Sequence, residues 1–282
     1  MTEFVKKKDF LVCVDSDGCA MDTMDIKHFR CFGPCMVDEW GLDRWRDEIL
    51  KRWNDINLYT MTRGINRFKG LAMALSEISE KYCEIDGIDE LCHWAENSGE
   101  LSNGALEKAI LENPDCTSLK KAHAWSIAVN KSITELPEDE VRPFPLAREA
   151  LEMAHGVADV AIVSSANLGA VLEEWEKHGL LPHTDVVMAQ NSGSKAACIA
   201  KLLGEGYDQA KVVMCGDAPG DLDAARKNGV YFFPILVKKE RESWQEFMDC
   251  GLDKLLSGEY SEYNQKKINE FIENLKPNGD KK

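Results

Sequence analysis

The sequence predicts an α/β protein: a doubly wound parallel sheet, Rossmann-like, with an inserted all-helical domain. Three observations predict it. Short apolar runs such as Phe10-Leu11-Val12-Cys13-Val14 and Val160-Ala161-Ile162-Val163 carry no polar alternation, the pattern of strands covered on both faces. From Arg142 to about residue 240 such runs alternate with helical patterns, as in βαβ units. Between Asp22 and Pro143 no comparable β-run occurs, and helical patterns broken by Gly, Pro and Asn take over. The expected division is a core of residues 1–21 and 142–282 and a helical cap of residues 22–141.

The first strand ends at Asp15, and its unbroken apolar character makes it the expected centre of the sheet. Helices are then expected over Val37–Leu58, Phe68–Tyr82, Ile88–Asn97 and Thr117–Leu136. Five of the seven tryptophans fall in this block (Trp40, Trp45, Trp53, Trp94, Trp125) and are expected to pack its own small core. The α/β pattern resumes with a helix over Leu146–His155 and a strand ending in Ser164-Ser165. A helix over Leu168–His178 and a strand at Asp185–Met188 follow, then a helix over Ser194–Leu203 and a strand from Lys211 ending in Gly216-Asp217. After a short helix at Leu222–Asn228, the last strand, Val230–Val237, carries Pro234. A proline there predicts an edge position or an early end. Two amphipathic helices are expected within Glu242–Lys276, and a frayed end over Pro277–Lys282.

The length of 282 residues suits one large domain or two modest ones, and 44% hydrophobic content is ordinary for a globular chain. A net charge of −15 argues against a nucleic-acid or anionic-membrane surface. It leaves room for a small anionic ligand, which needs only a local basic site. The ten cysteines form no CxxC pair and several sit inside apolar runs, as expected of reduced thiols in a cytoplasmic protein. The charged start from Met1 to Asp9 has no apolar h-region, and no stretch approaches the length of a membrane span.

Three strand ends carry the chemistry. Asp15-Ser16-Asp17-Gly18-Cys19 places two carboxylates two residues apart where the first strand ends. Residues i and i+2 share a side, and Gly18 allows a sharp turn. Taken alone, the pentapeptide fits a helix cap or an Asx turn as well as a ligand pocket. Ser164-Ser165 ends the second expected strand, Gly216-Asp217 ends the fourth with Asp221 four residues further on, and Lys195 opens the intervening helix. The carboxyl ends of parallel strands are where open α/β sheets bind ligands. Clustered carboxylates repel unless a cation sits among them, and an all-oxygen donor set suits Mg²⁺. Lys195 and Ser164 then fit a phosphoryl group beside the metal, with an aspartate as nucleophile and a second carboxyl as general acid/base.

These residues resemble the haloacid dehalogenase superfamily, in particular its phosphatase branch. The quoted motifs are a strand followed by Asp15-Ser16-Asp17, a strand-end Ser164, a helix-opening Lys195, and Gly216-Asp217 to Asp221, all in the family's order. The resemblance implies a Mg²⁺-dependent phosphomonoester hydrolase acting through an aspartyl-phosphate on a small phosphorylated metabolite. It implies Asp15 as nucleophile and metal ligand, and Asp17 as general acid/base with its backbone carbonyl on the metal. Ser164 and Lys195 would bind the phosphoryl group, with Ser165 the alternative to Ser164. Asp217 would be a metal ligand, and Asp221 either a ligand or the partner of Lys195. Cys19 stands where the family usually has Thr, and Asp22-Thr23 replaces its frequent Asp-Ser pair. Asp223 is expected to face solvent, and no metal role is expected for His28, His123, His155 or His178.

Arg63-Gly64-Ile65-Asn66-Arg67-Phe68-Lys69-Gly70 is the one locally basic stretch of an acidic cap. Arg63, Arg67 and Lys69 are candidates to meet the non-reacting part of an anionic substrate, or they form a solvated helix start. A phosphomutase would use the same Asp pair, and a dehalogenase would need neither Asp17 nor a metal. A non-catalytic binding module would have no reason to keep a mutually repelling carboxylate cluster.

Overall fold

The computed structural model describes residues 4–277; of the tail expected to fray, residues 278–282 lie outside the described residues. The chain forms two compact units, one from the segments up to Met24 and from Asp139 onward, the other from Asp25–Glu138.

The first unit is organised by its strands, β1 (Leu11–Val14), β2 (Met21–Asp22), β3 (Arg142–Pro143), β4 (Asp159–Val163), β5 (Val186–Met188), β6 (Val212–Gly216) and β7 (Tyr231–Pro234). Five of them form one sheet in the order β5-β4-β1-β6-β7, with every neighbouring pair parallel. β1 is central: Val14 lies opposite Ile162 of β4 and Cys215 of β6. All residues of β1, β4 and β6 are buried, which is why these strands read as unbroken apolar runs. The last strand ends at Pro234 on the sheet edge, where the Ile235 N–H still donates to the Gly216 carbonyl at 2.9 Å; alternate N–H groups face the neighbouring strand, so the one proline lacks would face away from it, as an edge position allows. From β1 the chain steps outward to β4 and β5, then crosses β1 to β6 and β7. That reversal puts the topological switch point at the carboxyl ends of β1 and β6.

Helices supply the crossovers that parallel pairing requires. They span Ala147–Val157, Leu168–Lys177, Lys195–Leu203 and Pro219–Asn228. Val12, Val14, Val160, Ile162, Val213 and Cys215 share a core with Leu151, Trp175, Trp244, Phe247 and Tyr260. The alternate strand residues, among them Cys13, Ala161 and Met214, turn to the opposite face by the period of two. The short pair β2–β3 is antiparallel, with Met21 opposite Pro143 and Asp22 opposite Arg142; two residues carry no periodicity, so no local pattern announces it.

The second unit, Asp25–Glu138, is helical. The helix expected over Val37–Leu58 is two, Gly33–Trp40 and Arg46–Asn54. Gly41 ends the first with φ +66°, a left-handed cap that glycine adopts at no steric cost. A further helix, Asn103–Glu112, was not expected; the Ser102 side chain caps it by accepting from the Ala105 N–H at 3.2 Å. As expected, the tryptophans pack this unit's own core: Trp53 and Trp125 are fully buried, and Trp40, Trp45 and Trp94 pack against the cluster partly exposed. Trp125 meets Trp53 edge-on at 6.1 Å and Phe68 at 6.2 Å, and donates to the Phe32 carbonyl at 3.0 Å. A buried indole keeps its N–H satisfied in this way.

The C-terminal segment forms the two helices expected: Glu240–Glu246 continues through a π-helical stretch, Phe247–Gly251, into Leu252–Ser257, and Tyr260–Asn274 follows. Lys267 is only 1% exposed. Its ammonium pairs with Glu246 at 2.7 Å and with Glu270, and lies 5.5 Å from the Phe233 ring centre. Burial alone would raise the Glu246 carboxyl, but hydrogen bonds from Lys267 and Tyr263 hold it below its ordinary value. A depressed carboxylate stabilises above its unfolded pKa, and that stability is lost as pH falls through the folded value. Lys267→Met should therefore cost about 1–2 kcal/mol in urea unfolding at neutral pH. The deficit against wild type should shrink below about pH 4; a deficit independent of pH would assign it to packing.

Candidate active site

The carboxyl ends of β1, β4 and β6 gather the acidic site. Asp15 follows β1, is 5% exposed, and its N–H donates to the Cys215 carbonyl at 3.0 Å. Gly18, with φ +82°, lets the chain fold back so that its N–H meets the Met21 carbonyl at 2.8 Å. Asp17 is half-buried and accepts a short hydrogen bond from the Thr23 hydroxyl. Thus Thr23, second of the Asp22-Thr23 pair, orients one of the two motif carboxylates. Cys19 is buried, its thiol donates to the Cys215 carbonyl at 3.5 Å, and burial together with Asp217 and Asp15 pushes it well above the ordinary thiol range. It is a protonated packing group.

Lys195 is the first residue of its helix, which Ser194 caps through the Ala197 N–H at 3.2 Å. Its Nζ lies 2.8 Å from Asp15 Oδ2 and 2.6 Å from Asp221 Oδ1. Asp221 is fully buried in the first turn of the helix Pro219–Asn228, and its other oxygen accepts from the Ala218 N–H at 3.0 Å. Asp217 follows β6 and is 1% exposed. Carboxylate oxygens of Asp15, Asp217 and Asp221 lie within 4.8 Å of one another.

Burial pushes the Asp15 carboxyl well above the ordinary carboxylate range; Lys195 opposes this, while Asp221 and Asp217 add to it. Burial alone would lower Lys195, but the Asp15 and Asp221 carboxylates outweigh it and raise the ammonium above its ordinary value. Three carboxylates against one ammonium leave negative charge in a dry site. The donors are all hard oxygens, the set that fits a hard divalent cation.

Ser164 is buried beyond β4, with its hydroxyl accepting from the Ala166 N–H at 3.1 Å, and Ser165 is exposed beside it. Asp223 is exposed. Arg63, Arg67 and Lys69 belong to the helical unit. Arg63 is buried and donates to the Leu58 carbonyl at 2.8 Å; Lys69 is exposed. Arg67 donates to Ser126 Oγ at 3.2 Å and Asn130 Oδ1 at 2.7 Å, lies 5.0 Å from the Phe32 ring centre, and is lowered from its ordinary value by burial.

In the sequence Gly216 is only a letter of the motif. A Cβ there would lie 2.4 Å from Asp221 Cγ and 2.5 Å from its Oδ2, so Asp221 occupies the space that glycine leaves. Gly216→Ala should fold but displace Asp221, and with it Lys195. Its affinity for a divalent cation, read by calorimetry, should change by about tenfold or more, and it should lose about 1–3 kcal/mol of stability. Unchanged affinity and stability would show that the close approach constrains nothing.

Comparison with known proteins bears on the family. The family described as haloacid dehalogenase-like hydrolase matches residues 97–235, a span that includes Ser164, Lys195, Asp217 and Asp221. No curated protein matches the sequence. A structure from Lactobacillus delbrueckii subsp. bulgaricus, provisionally named a phosphoglycolate phosphatase, is 14% identical over 81% of this chain and 86% of that one, with a TM-score of 0.52. A haloacid dehalogenase-like family hydrolase from Streptococcus pneumoniae is 11% identical over 84% of this chain and 90% of that one, with a TM-score of 0.47. At such identities the first likeness speaks for the fold alone, and the second adds no argument. From the matched span, and from the four motifs gathered in order at one end of a parallel sheet, the chain belongs to the haloacid dehalogenase-like hydrolase superfamily.

Proposed function

We propose that this protein is a Mg²⁺-dependent phosphomonoester hydrolase that turns over through an aspartyl-phosphate on Asp15. The observation that carries the reading is Lys195 Nζ held between Asp15 and Asp221, with Asp217 beside them, in a buried site whose carboxylates outnumber its one ammonium. A dehalogenation site would not need that excess of negative charge.

Asp15 and Asp217, with the backbone carbonyl of Asp17, would hold Mg²⁺, which when bound supplies positive charge to the phosphoryl oxygens. Both Asp221 oxygens already accept hydrogen bonds, from Lys195 and from the Ala218 N–H. We therefore assign Asp221 to fixing Lys195 rather than to direct ligation. An Asp15 oxygen attacks phosphorus, forming the acyl phosphate as the P–O bond to the leaving group breaks. Asp17, steadied by Thr23, gives its proton to the departing alkoxide. It then takes a proton from the water that attacks phosphorus, and phosphate and the Asp15 carboxylate are released. Lys195 and Ser164 neutralise and orient the phosphoryl oxygens. Among the described residues no carboxylate pairs with Arg67, which is held only by Ser126, Asn130 and the Phe32 ring. We carry it forward as a candidate to meet a second anionic group on the substrate, which by the family resemblance is a small phosphorylated metabolite.

A panel of phosphate esters with and without Mg²⁺ tests the reading. Free phosphate should appear only with the metal, and fastest from esters that carry a second anionic group. Isomerised sugar phosphate in place of free phosphate would show a phosphomutase. Asp15→Asn should abolish turnover in a folded protein, because an amide forms no stable acyl phosphate; wild-type rates would rule out covalent catalysis through Asp15.

Asp17→Asn separates the two half-reactions. It should slow turnover by about 10²–10⁴-fold while leaving Mg²⁺ affinity largely intact, since the backbone carbonyl persists. Aryl phosphates need little protonation of the leaving group. They should release it in a burst, followed by slow phosphate release. Lost Mg²⁺ affinity with no burst would make Asp17 a side-chain ligand and overturn its assignment as the acid/base.

A further inference from the structure

Extending the hydrolase reading, we propose that Trp175, a residue outside the four motifs, positions the nucleophile by holding Ser16 through its indole N–H. Trp175 Nε1 donates to Ser16 Oγ at 2.8 Å, and both residues are fully buried.

The loop from Asp15 to Met21 settles its shape with its own backbone. The Cys19 and Met21 N–H groups donate to the Ser16 carbonyl at 3.3 and 2.9 Å, and the Ala20 N–H donates to the Asp15 carbonyl at 3.4 Å. Those bonds set how the loop folds, not how it is aimed. Aim comes from ties to the scaffold, and few are strong. The Asp15 N–H reaches Cys215 at 3.0 Å, and the Phe144 N–H reaches the Ala20 carbonyl at 2.9 Å. Trp244 Nε1 reaches the Cys19 carbonyl at 3.1 Å. The Trp175 bond is the tie that grips a side chain lying between the two aspartates.

Its placement gives it leverage. Successive side chains on an extended segment point to opposite sides. Asp15 and Asp17 therefore turn to the pocket, and Ser16 turns to the helical layer that holds Trp175. Pulling on Ser16 fixes the plane from which both carboxylates project. The pull is opposed, because Asp15 sits among carboxylates that repel it. Without the bond to Ser16 the loop would keep its ends, the Trp244 bond to Cys19 and the Lys195 pair on Asp15, but would yield to that repulsion between the two aspartates; a shift of about 1 Å in the attacking oxygen can cost about 10²-fold in rate. Trp175 lies on the helix that leaves Ser164-Ser165, so the same rigid element also joins the phosphate-binding strand end to the nucleophile loop. In a dry layer an indole N–H and a hydroxyl each require a partner, so the pair is either made or costly to both.

Ser16→Ala, Trp175→Phe and the double variant test this in the full-length protein. In the metal-free proteins, amide hydrogen exchange over residues 15–22 should be about tenfold faster or more than in wild type, with exchange in β4 and β6 unchanged. On an aryl phosphate with Mg²⁺, kcat should fall about 10–100-fold with KM within about twofold. The double variant should be no slower than the slower single one, since both lose the same bond. Where Trp175→Phe fails to fold, Ser16→Ala reads the same bond with both indoles intact. Wild-type exchange over 15–22, a wild-type kcat in a folded variant, or losses that multiply in the double variant would each overturn the positioning role. Wild-type protein that turns over no ester would sink the hydrolase reading, and the exchange measurement would still decide whether Trp175 holds the loop.

Discussion

Mutual repulsion among Asp15, Asp217 and Asp221 is the constraint around which the first unit is arranged. At about 4 Å and an effective dielectric of about 20, two like charges cost about 4 kcal/mol, and here the oxygens of three residues lie within 4.8 Å of one another out of water. Lys195 relieves part of this. It does so from the first turn of a helix, where the helix dipole disfavours a cation. The two carboxylates it touches more than offset that. One ammonium cannot neutralise three carboxylates, so the folded site keeps an affinity for positive charge. This property turns a cluster that would otherwise only destabilise the fold into a place for chemistry on an anion.

The sheet order makes the cluster possible. With β1 in the centre and β4 and β6 on either side, loops distant in sequence end within a few ångströms of one another. The antiparallel pair of Met21–Asp22 with Arg142–Pro143 brings the departing and returning chain side by side, so more than a hundred residues are inserted without disturbing β1. The inserted unit carries its own aromatic core of Trp53, Trp125 and Phe68. Within it Arg67 stands out, a guanidinium met, among the described residues, by neutral groups and a ring.

Lys195 and Asp221 also show why the motif spacing is what it is. Asp221 reaches back over Gly216, where any Cβ would collide with it, and accepts from Ala218 N–H and Lys195 at once. The interval between Asp217 and Asp221 is thus one turn of chain, strand end to first helical turn. It brings both carboxylates into one site while Asp223, two residues on, faces solvent.

The sequence by itself determined the parallel sheet, its central first strand, and the identity of Asp15, Asp17, Lys195, Asp217 and Asp221 as residues worth gathering. Buried parallel strands must be continuously apolar, and polar residues at their ends break that pattern in plain view. It did not determine the split at Gly41, the helix Asn103–Glu112 or the pair β2–β3, because caps and two-residue ladders leave almost no periodic trace. Only the tertiary structure decided that Lys195 bridges Asp15 and Asp221, that Arg63 is spent on its own loop, and that Trp175 holds Ser16. Those are contacts between side chains far apart in sequence. Their existence depends on which helix covers which strand end, and no local pattern of residue types encodes that.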